Sequence, residues 1–314
     1  MSKEIKRINK VQIAGTLAEV GNLVYDANVE NKKNASIKGA ITRADYSKPS
    51  FVIDVNGQKL PITTMPTYKK KEVDGKIVDN DRFKALEKNM EYPVGTRVKV
   101  DASISVGKPY KTKSGNVVEP ISIQMFGMSS TSVPEEDYAE GKISGYIKAI
   151  KDEVRKIGDD EEETGRLAVD FWILNYDGTI SPFPLVVESD IADGFAETYD
   201  DGDSTILSFD VINKQIGGKK AQSAGFGRRE AKMTSGYSVT EYSVFDGEAA
   251  VDDESEYYID EDVFNKFFKA HEQVVKEAKN ATNNNSESTK SKGLGSARKS
   301  HVEDIDDDDC PFDD

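Results

Sequence analysis

The sequence predicts an all-β dominated protein: two similar barrels in tandem, a C-terminal amphipathic helix and a disordered acidic tail. Three observations predict it. Apolar residues alternate at period two in several segments, best in Val98, Val100, Ala102, Ile104 and Val106, interleaved with Arg97, Lys99, Asp101, Ser103 and Ser105. One order of elements is written twice along the chain. Finally, residues 280–301 are almost wholly Asn, Ser, Thr, Lys and Gly, too polar to offset the entropy cost of ordering, so a flexible coil is expected there.

In the first copy, residues 36–44 read as a strand, with Ile37, Gly39 and Ile41 alternating against Lys38, Ala40 and Thr42. Strands at 51–55 and 59–63 flank Asn56-Gly57, a dipeptide that favours the type I′ hairpin turn. A polar helix follows near 80–90, then the long alternating strand, a Gly-rich loop and a strand at 121–126. A further strand, 11–20, precedes this copy and carries its own Ile13-x-Gly15 pattern. Its place stays open at this point: an addition, or the true first strand.

The second copy begins at 142–149 and continues through 167–175, the turn Asp177-Gly178 and a strand ending at Val187. A helix runs from Ser189-Asp190 to about Tyr199, Leu207, Phe209 and Val211 mark the next strand, and a long Gly-rich loop leads to 237–245. Strand, strand, tight hairpin, strand, helix, strand, long loop, strand is the order of an OB-fold barrel. Two unrelated β domains sharing turn residues are the other reading. The matched position of hairpin and helix favours duplication. The expected boundaries are a basic first domain at 1–130, a linker at 131–140, an acidic second domain with one basic loop at 141–250, a helix at 251–280, a disordered linker at 281–301 and an acidic tip at 302–314.

Within 251–280, Asp260 caps a segment with Phe264, Phe267, Phe268, His271, Val274, Val275 and Ala278 on one face. That face is expected to pack on the second barrel; a partner or self-association surface is the second reading. Trp172, inside Phe171-Trp172-Ile173-Leu174, is expected as a buried anchor.

The net charge of −15 is unevenly spread. Residues 1–130 hold 22 Lys and Arg against 14 Asp and Glu, whereas 131–280 hold 16 against 34 and 281–314 hold 4 against 9. Such asymmetry points to nucleic acid at the basic end. No apolar run reaches ~18 residues, so no spanning helix is expected, and Met1–Arg7 lacks the apolar core of a secretory signal. A lone cysteine, Cys310, rules out an internal disulfide framework and fits a reducing cytoplasm.

In an OB fold the loop before the last strand borders the oligonucleotide face. In the first copy that loop holds Lys108, Tyr110, Lys111 and Lys113 and no acid. In the second, 213–236 holds Lys214, Lys219, Lys220, Arg228, Arg229 and Lys232 against Glu230, with Phe226 among them. Cations meet phosphates, and flat side chains stack on unpaired bases at ~1–3 kcal/mol per base. One such loop alone reads as a solvated hairpin; two at the same topological place point to single-stranded nucleic acid. Arg43, Tyr46, Lys48, Tyr68, Lys69, Lys70, Lys71, Arg97 and Lys99 are expected to support them, while Phe51 reads equally well as core or surface.

Catalysis finds little support. His271 and His301 lack metal spacing, one cysteine precludes a thiolate zinc site, and no phosphate-binding P-loop or nucleophile elbow occurs. Neither enzyme activity nor a cofactor or metal is expected.

Basic-loop barrels, a polar linker and the tip Asp306-Asp307-Asp308-Asp309-Cys310-Pro311-Phe312 together resemble the single-stranded-DNA-binding proteins of bacteria and their viruses. The resemblance implies that Pro311 and Phe312 insert into a pocket on replication and repair partners while the aspartates grip basic residues around it. Two departures stand out: Cys310 replaces a larger aliphatic residue, and Asp313-Asp314 follow a Phe that is normally terminal. Two barrels in one chain suggest a viral or divergent member, placed in the bacterial host cytoplasm if viral. The implied role is coating single-stranded DNA without strong sequence preference during replication, recombination or repair, the tail recruiting proteins and competing with DNA. The alternative is a structural or interaction protein, such as a viral assembly factor or a DNA mimic that captures basic partners, and a strand-annealing accessory is a third reading.

Overall fold

A computed structural model describes residues 5–21, 23–31, 34–42, 50–112, 114–132, 136–157, 160–216 and 237–280. The first half contains β1 (Asn9–Val20), β2 (Val24–Asn31), β3 (Asn34–Thr42), β4 (Phe51–Val55), β5 (Gln58–Thr64), β6 (Thr67–Tyr68), β7 (Lys70–Val73) and β8 (Lys76–Asp79). Helix α1 (Asp81–Met90), β9 (Arg97–Val106), β10 (Tyr110–Lys111), β11 (Val117–Val118) and β12 (Ile121–Ser130) complete it. The second half comprises β13 (Tyr138–Ile157), β14 (Asp160–Leu174), β15 (Ile180–Pro182), β16 (Leu185–Val187), α2 (Ala192–Thr198), β17 (Ser204–Ile216), β18 (Tyr237–Gly247) and α3 (Glu261–Asn280).

Both halves close as OB barrels. In the first, β1 pairs with β4, β4 with β5, β5 with β12 in parallel, β12 with β9, and β9 returns to β1. The second repeats the circuit through β13, β14, β16, β18 and β17, again with one parallel pair, β16–β18. In each ring the helix falls between the third and fourth strands. The alternation in β9 is realised: Val98, Val100, Ala102 and Ile104 are buried and Asp101 is exposed. Asn56 and Gly57 have φ of 52° and 82°, the left-handed pair a type I′ turn requires, and the Asp54 carboxylate accepts from the Gly57 N–H at 2.8 Å. Asn80 caps α1 by accepting from the Arg82 N–H at 3.1 Å.

Two expectations are corrected. The strand over 36–44 forms as β3, but it pairs with β2 and β6 in a separate three-stranded sheet. The barrel's first strand is β1, the segment sequence alone leaves unplaced. It can serve because Val11, Ile13, Ala14 and Leu17 are fully buried and a bulge between Leu17 and Glu19 bends it from β9 onto β4. The stretch 131–140 is only partly a connection, since Tyr138, Ala139 and Glu140 already belong to β13 and pair with β1. That pairing joins the barrels edge to edge within one compact unit, Met1–Lys279.

Helix α3 packs on the second barrel as its apolar face predicts. Phe264 is 3% exposed, stacks on Tyr146 at 4.0 Å and meets Trp172 edge-on at 5.9 Å. Trp172 is the buried anchor, and its indole N–H donates to Asp170 at 2.8 Å. Gly145 lies beneath this cluster: a Cβ there would collide with the Trp172 carbonyl oxygen and the Phe171 ring. Phe51 is fully buried and is core.

Candidate nucleic-acid interface

The expected binding residues fall into three groups. Tyr68 ends β6, half-buried, paired with Ala40 of β3, and its carbonyl accepts from the Asn80 side chain at 2.8 Å. Lys69, Lys70 and Lys71 follow, all exposed, on the arm leading into the β7–β8 hairpin. Lys71 faces Asp81 at 3.7 Å, a weak exposed pair. This hairpin is exposed at every position, with Val73, Ile77 and Val78 among its solvent-facing residues.

The second group is the β9–β12 connection. Lys108, Tyr110 and Lys111 are exposed, and the β10–β11 ladder pairs Tyr110 with Val118 and Lys111 with Val117. Tyr110 keeps 48% of its surface in solvent. The Lys111 ammonium donates to the Lys279 carbonyl at 3.0 Å, in the last turn of α3, where a cation complements the helix macrodipole. Glu119 meets the His271 Nε2 at 3.0 Å. The basic loop of the first barrel is thus seated against the C-terminal helix.

The third group lies on β9, and one of its members is corrected. Arg97 is not a surface cation: its side chain is 24% exposed and ion-paired with Asp137. Burial pushes the Asp137 carboxyl up, but the Asn56 N–H and the Arg97 guanidinium outweigh it and hold the group below its usual range. Lys99 sits one residue pair further along β9, opposite Ala14. In the second barrel Lys214 is also committed internally, 2.5 Å from Glu241. Arg43, Tyr46, Lys48, Lys113, Lys219, Lys220, Phe226, Arg228, Arg229, Lys232 and the tail residues Asp306, Asp307, Asp308, Asp309, Pro311 and Phe312 lie outside the described residues.

A cleft of about 270 Å³ at the barrel junction is lined by Asp137, Glu140 and Asp210, among others. Burial, with Glu140 directly opposite on β13, pushes the Asp210 carboxyl up.

Sequence reasoning missed four residues of the right chemistry. Arg82 opens α1 with its guanidinium 5.7 Å from the Phe126 ring, and Phe126 is 47% exposed beside a bulge between Met125 and Gly127. Arg7 lies 3.6 Å over the ring of Tyr176, which is 91% exposed. Only Tyr176 carried a readable sign: an aromatic beside a recognisable Asp-Gly turn is poorly placed to be core.

Among solved structures, the single-stranded DNA binding protein from Thermus aquaticus aligns with 8% identity, a TM-score of 0.44, and coverage of 79% of this chain and 95% of that one. A deletion mutant of that protein aligns with 9% identity, a TM-score of 0.45, and coverage of 79% and 97%. The barrel assignment rests on the strand order and register given above. No curated protein matches the sequence. The YorF family model matches residues 7–281, a span that takes in both barrels and α3, and the chain belongs to the YorF family.

Proposed function

We propose that this protein binds and coats single-stranded DNA without strong sequence preference, as a non-enzymatic factor in replication, recombination or repair. The observation that carries the reading is the exposed Lys108, Tyr110 and Lys111 on the loop before the last strand of a closed OB barrel, within a chain of net charge −15. Cations there reach phosphates, and an exposed ring stacks on unpaired bases but not on bases already stacked in a duplex. The acidic tip recruits partner proteins and competes with DNA for the same cations. Its support is that Lys279, next to the tip's tether, already contacts Lys111. A viral origin and action in the host cytoplasm belong to the same proposal.

Fluorescence anisotropy on labelled oligo-dT and on duplex tests it. Single strands are expected to bind more tightly, with log K falling against log salt by about 0.7 per phosphate neutralised. Reversing Lys108 and Lys111 to Glu should flatten that slope by at least about 1.4 if each lysine holds one phosphate. Removing 302–314 should tighten binding at low salt. Salt-insensitive or duplex-equal binding overturns the reading. No DNA binding with capture of a basic protein instead selects the interaction-protein alternative, which the surplus of acids in 131–280 favours.

A further inference from the structure

We infer that the β14–β15 turn of the second barrel, with Arg7, forms a base-stacking subsite for single-stranded DNA that extends the path begun at the first barrel's basic loop. The inference rests on the proposed function and adds a place, a stacking residue and a cation to it.

The turn is built to present Tyr176 rather than to hide it. The Asn175 N–H donates to the Thr179 carbonyl at 2.7 Å and the Gly178 N–H to the Asn175 carbonyl at 3.2 Å. The Asn175 amide donates to Thr179 Oγ1 at 3.0 Å and Ser181 Oγ at 2.8 Å. Asp177 Oδ1 accepts from the Thr179 N–H at 3.0 Å and its hydroxyl at 2.6 Å. Gly178, at φ 79°, supplies the left-handed residue. A large ring held at 91% exposure by so many hydrogen bonds forgoes its hydrophobic gain on folding. A rigid, exposed ring also binds a flat partner without a further ordering cost.

Arg7 fixes the other half. Its Nη1 donates to the Asn175 carbonyl at 2.8 Å while its guanidinium lies over the Tyr176 ring. The arginine is itself anchored, because the Lys6 N–H donates to Glu256 and the Ile8 N–H to Ser144 Oγ at 2.7 Å. One ring face is therefore backed by a cation and the other is open to solvent. A base stacked on the open face places its phosphate near the guanidinium, which has further N–H donors to offer.

The subsite also adjoins the first barrel: Arg7 stands two residues before Asn9, whose side-chain amide donates to the Ile104 carbonyl and accepts from the Ile104 N–H, both at 2.8 Å, near the end of β9. Asp177 is held below its usual range by its hydrogen bonds from Thr179, and Lys108 contributes to that from across the junction. The Asp177 carboxylate, though exposed, is engaged by the Thr179 N–H and hydroxyl. A strand leaving the loop after β9 then reaches the Arg7 cation and the Tyr176 ring.

The test uses the full-length protein and oligo-dT of increasing length, read by anisotropy. Tyr176→Ala is expected to weaken binding of long oligomers about 5- to 100-fold and of the shortest bound oligomer by less than twofold. Tyr176→Trp, with a larger π face, should tighten the long oligomers, and Arg7→Ala should weaken them and flatten the salt slope by about 0.7. Thermal unfolding followed by Trp172 emission should be unchanged in Tyr176→Ala, since the ring packs on no core. Equal affinity of Tyr176→Ala and the parent at every length overturns the subsite while leaving the first-barrel reading intact. Absence of any oligo-dT binding by the parent overturns both.

Discussion

Replacing Arg166 with methionine is expected to cost about 3–5 kcal/mol of unfolding free energy at neutral pH, and much less near pH 4. The Arg166 side chain is only 9% exposed and meets three carboxylates: Glu241 at 2.6 Å, Glu188 at 3.1 Å and Glu153 at 3.3 Å. Methionine conserves much of the stem's packing but strands those charges in a poorly solvated site. Lys214 remains on Glu241 and offsets only one of them. In the parent, burial pushes the Glu241 carboxyl up, yet its hydrogen bonds from Lys214 and Arg166 hold it below its ordinary value of 4.5. That contribution is present above pH 4.5 and is lost as pH falls through the lower folded value. In the variant Glu241 lacks the guanidinium, so burial works against Lys214 alone and protonation of Glu241 relieves the site as pH falls. The gap between parent and variant therefore closes with acid. Urea unfolding followed by the single tryptophan, Trp172, at pH 7 and pH 4 measures it. An equal deficit at both values would mean lost packing rather than stranded charge.

The same cluster explains why the second barrel's cations cannot simply be counted. Arg166 ties Glu153 of β13, Glu188 beyond β16 and Glu241 of β18 together at one rim of the barrel. Lys214, which sequence reasoning assigns to a basic loop, is exposed but pairs with Glu241 of that cluster at 2.5 Å. Charge in a loop becomes a binding surface only when nothing in the fold has already neutralised it.

That distinction marks what the sequence could and could not disclose. Local patterns were legible: the β9 alternation, the Asn56-Gly57 turn, the helix near 80–90 and the α3 apolar face each depend on residues a few positions apart. Barrel closure is non-local. Whether 36–44 or 11–20 supplies the first strand depends on which can pair on both sides, and β1 does so with partners near residues 54, 100 and 140. Arg97 looks like a surface cation until Asp137, forty residues later, is folded beside it. Lys111 and Lys279 are 168 positions apart, so no windowed reading could show the basic loop resting on the helix end. Tyr176 lies between these cases, since its turn is readable but the Arg7 beneath it is not.

Truncating Phe264 to alanine is expected to cost about 3–5 kcal/mol and to undock α3 before the barrels unfold. The ring stacks on Tyr146, meets Trp172 edge-on and lies 5.8 Å from Phe268. Trp172 also contacts Phe268 at 5.1 Å and the His271 ring at 4.9 Å. The helix is otherwise attached mostly by half-buried residues: Phe264 is its only fully buried side chain, so no other position compensates for its loss. The barrel core, which takes in Phe51 and Ile53 of one ring and Phe171 and Phe209 of the other, is a cluster apart from the one that holds Phe264. Unfolding should then separate into two steps, with Trp172 emission shifting red at lower urea than the far-ultraviolet β signal. Coincident curves would show that helix and barrel unfold as one unit. The functional consequence follows from the contacts at the helix end. With α3 undocked, Lys111 loses the Lys279 carbonyl and Glu119 loses His271, the two contacts that seat the helix end against the basic loop. Removing 302–314 should then tighten oligo-dT binding less in Phe264→Ala than in the parent. The same gain in both would mean that the tip reaches its cations by tether length alone, and that the docked helix has no part in aiming it.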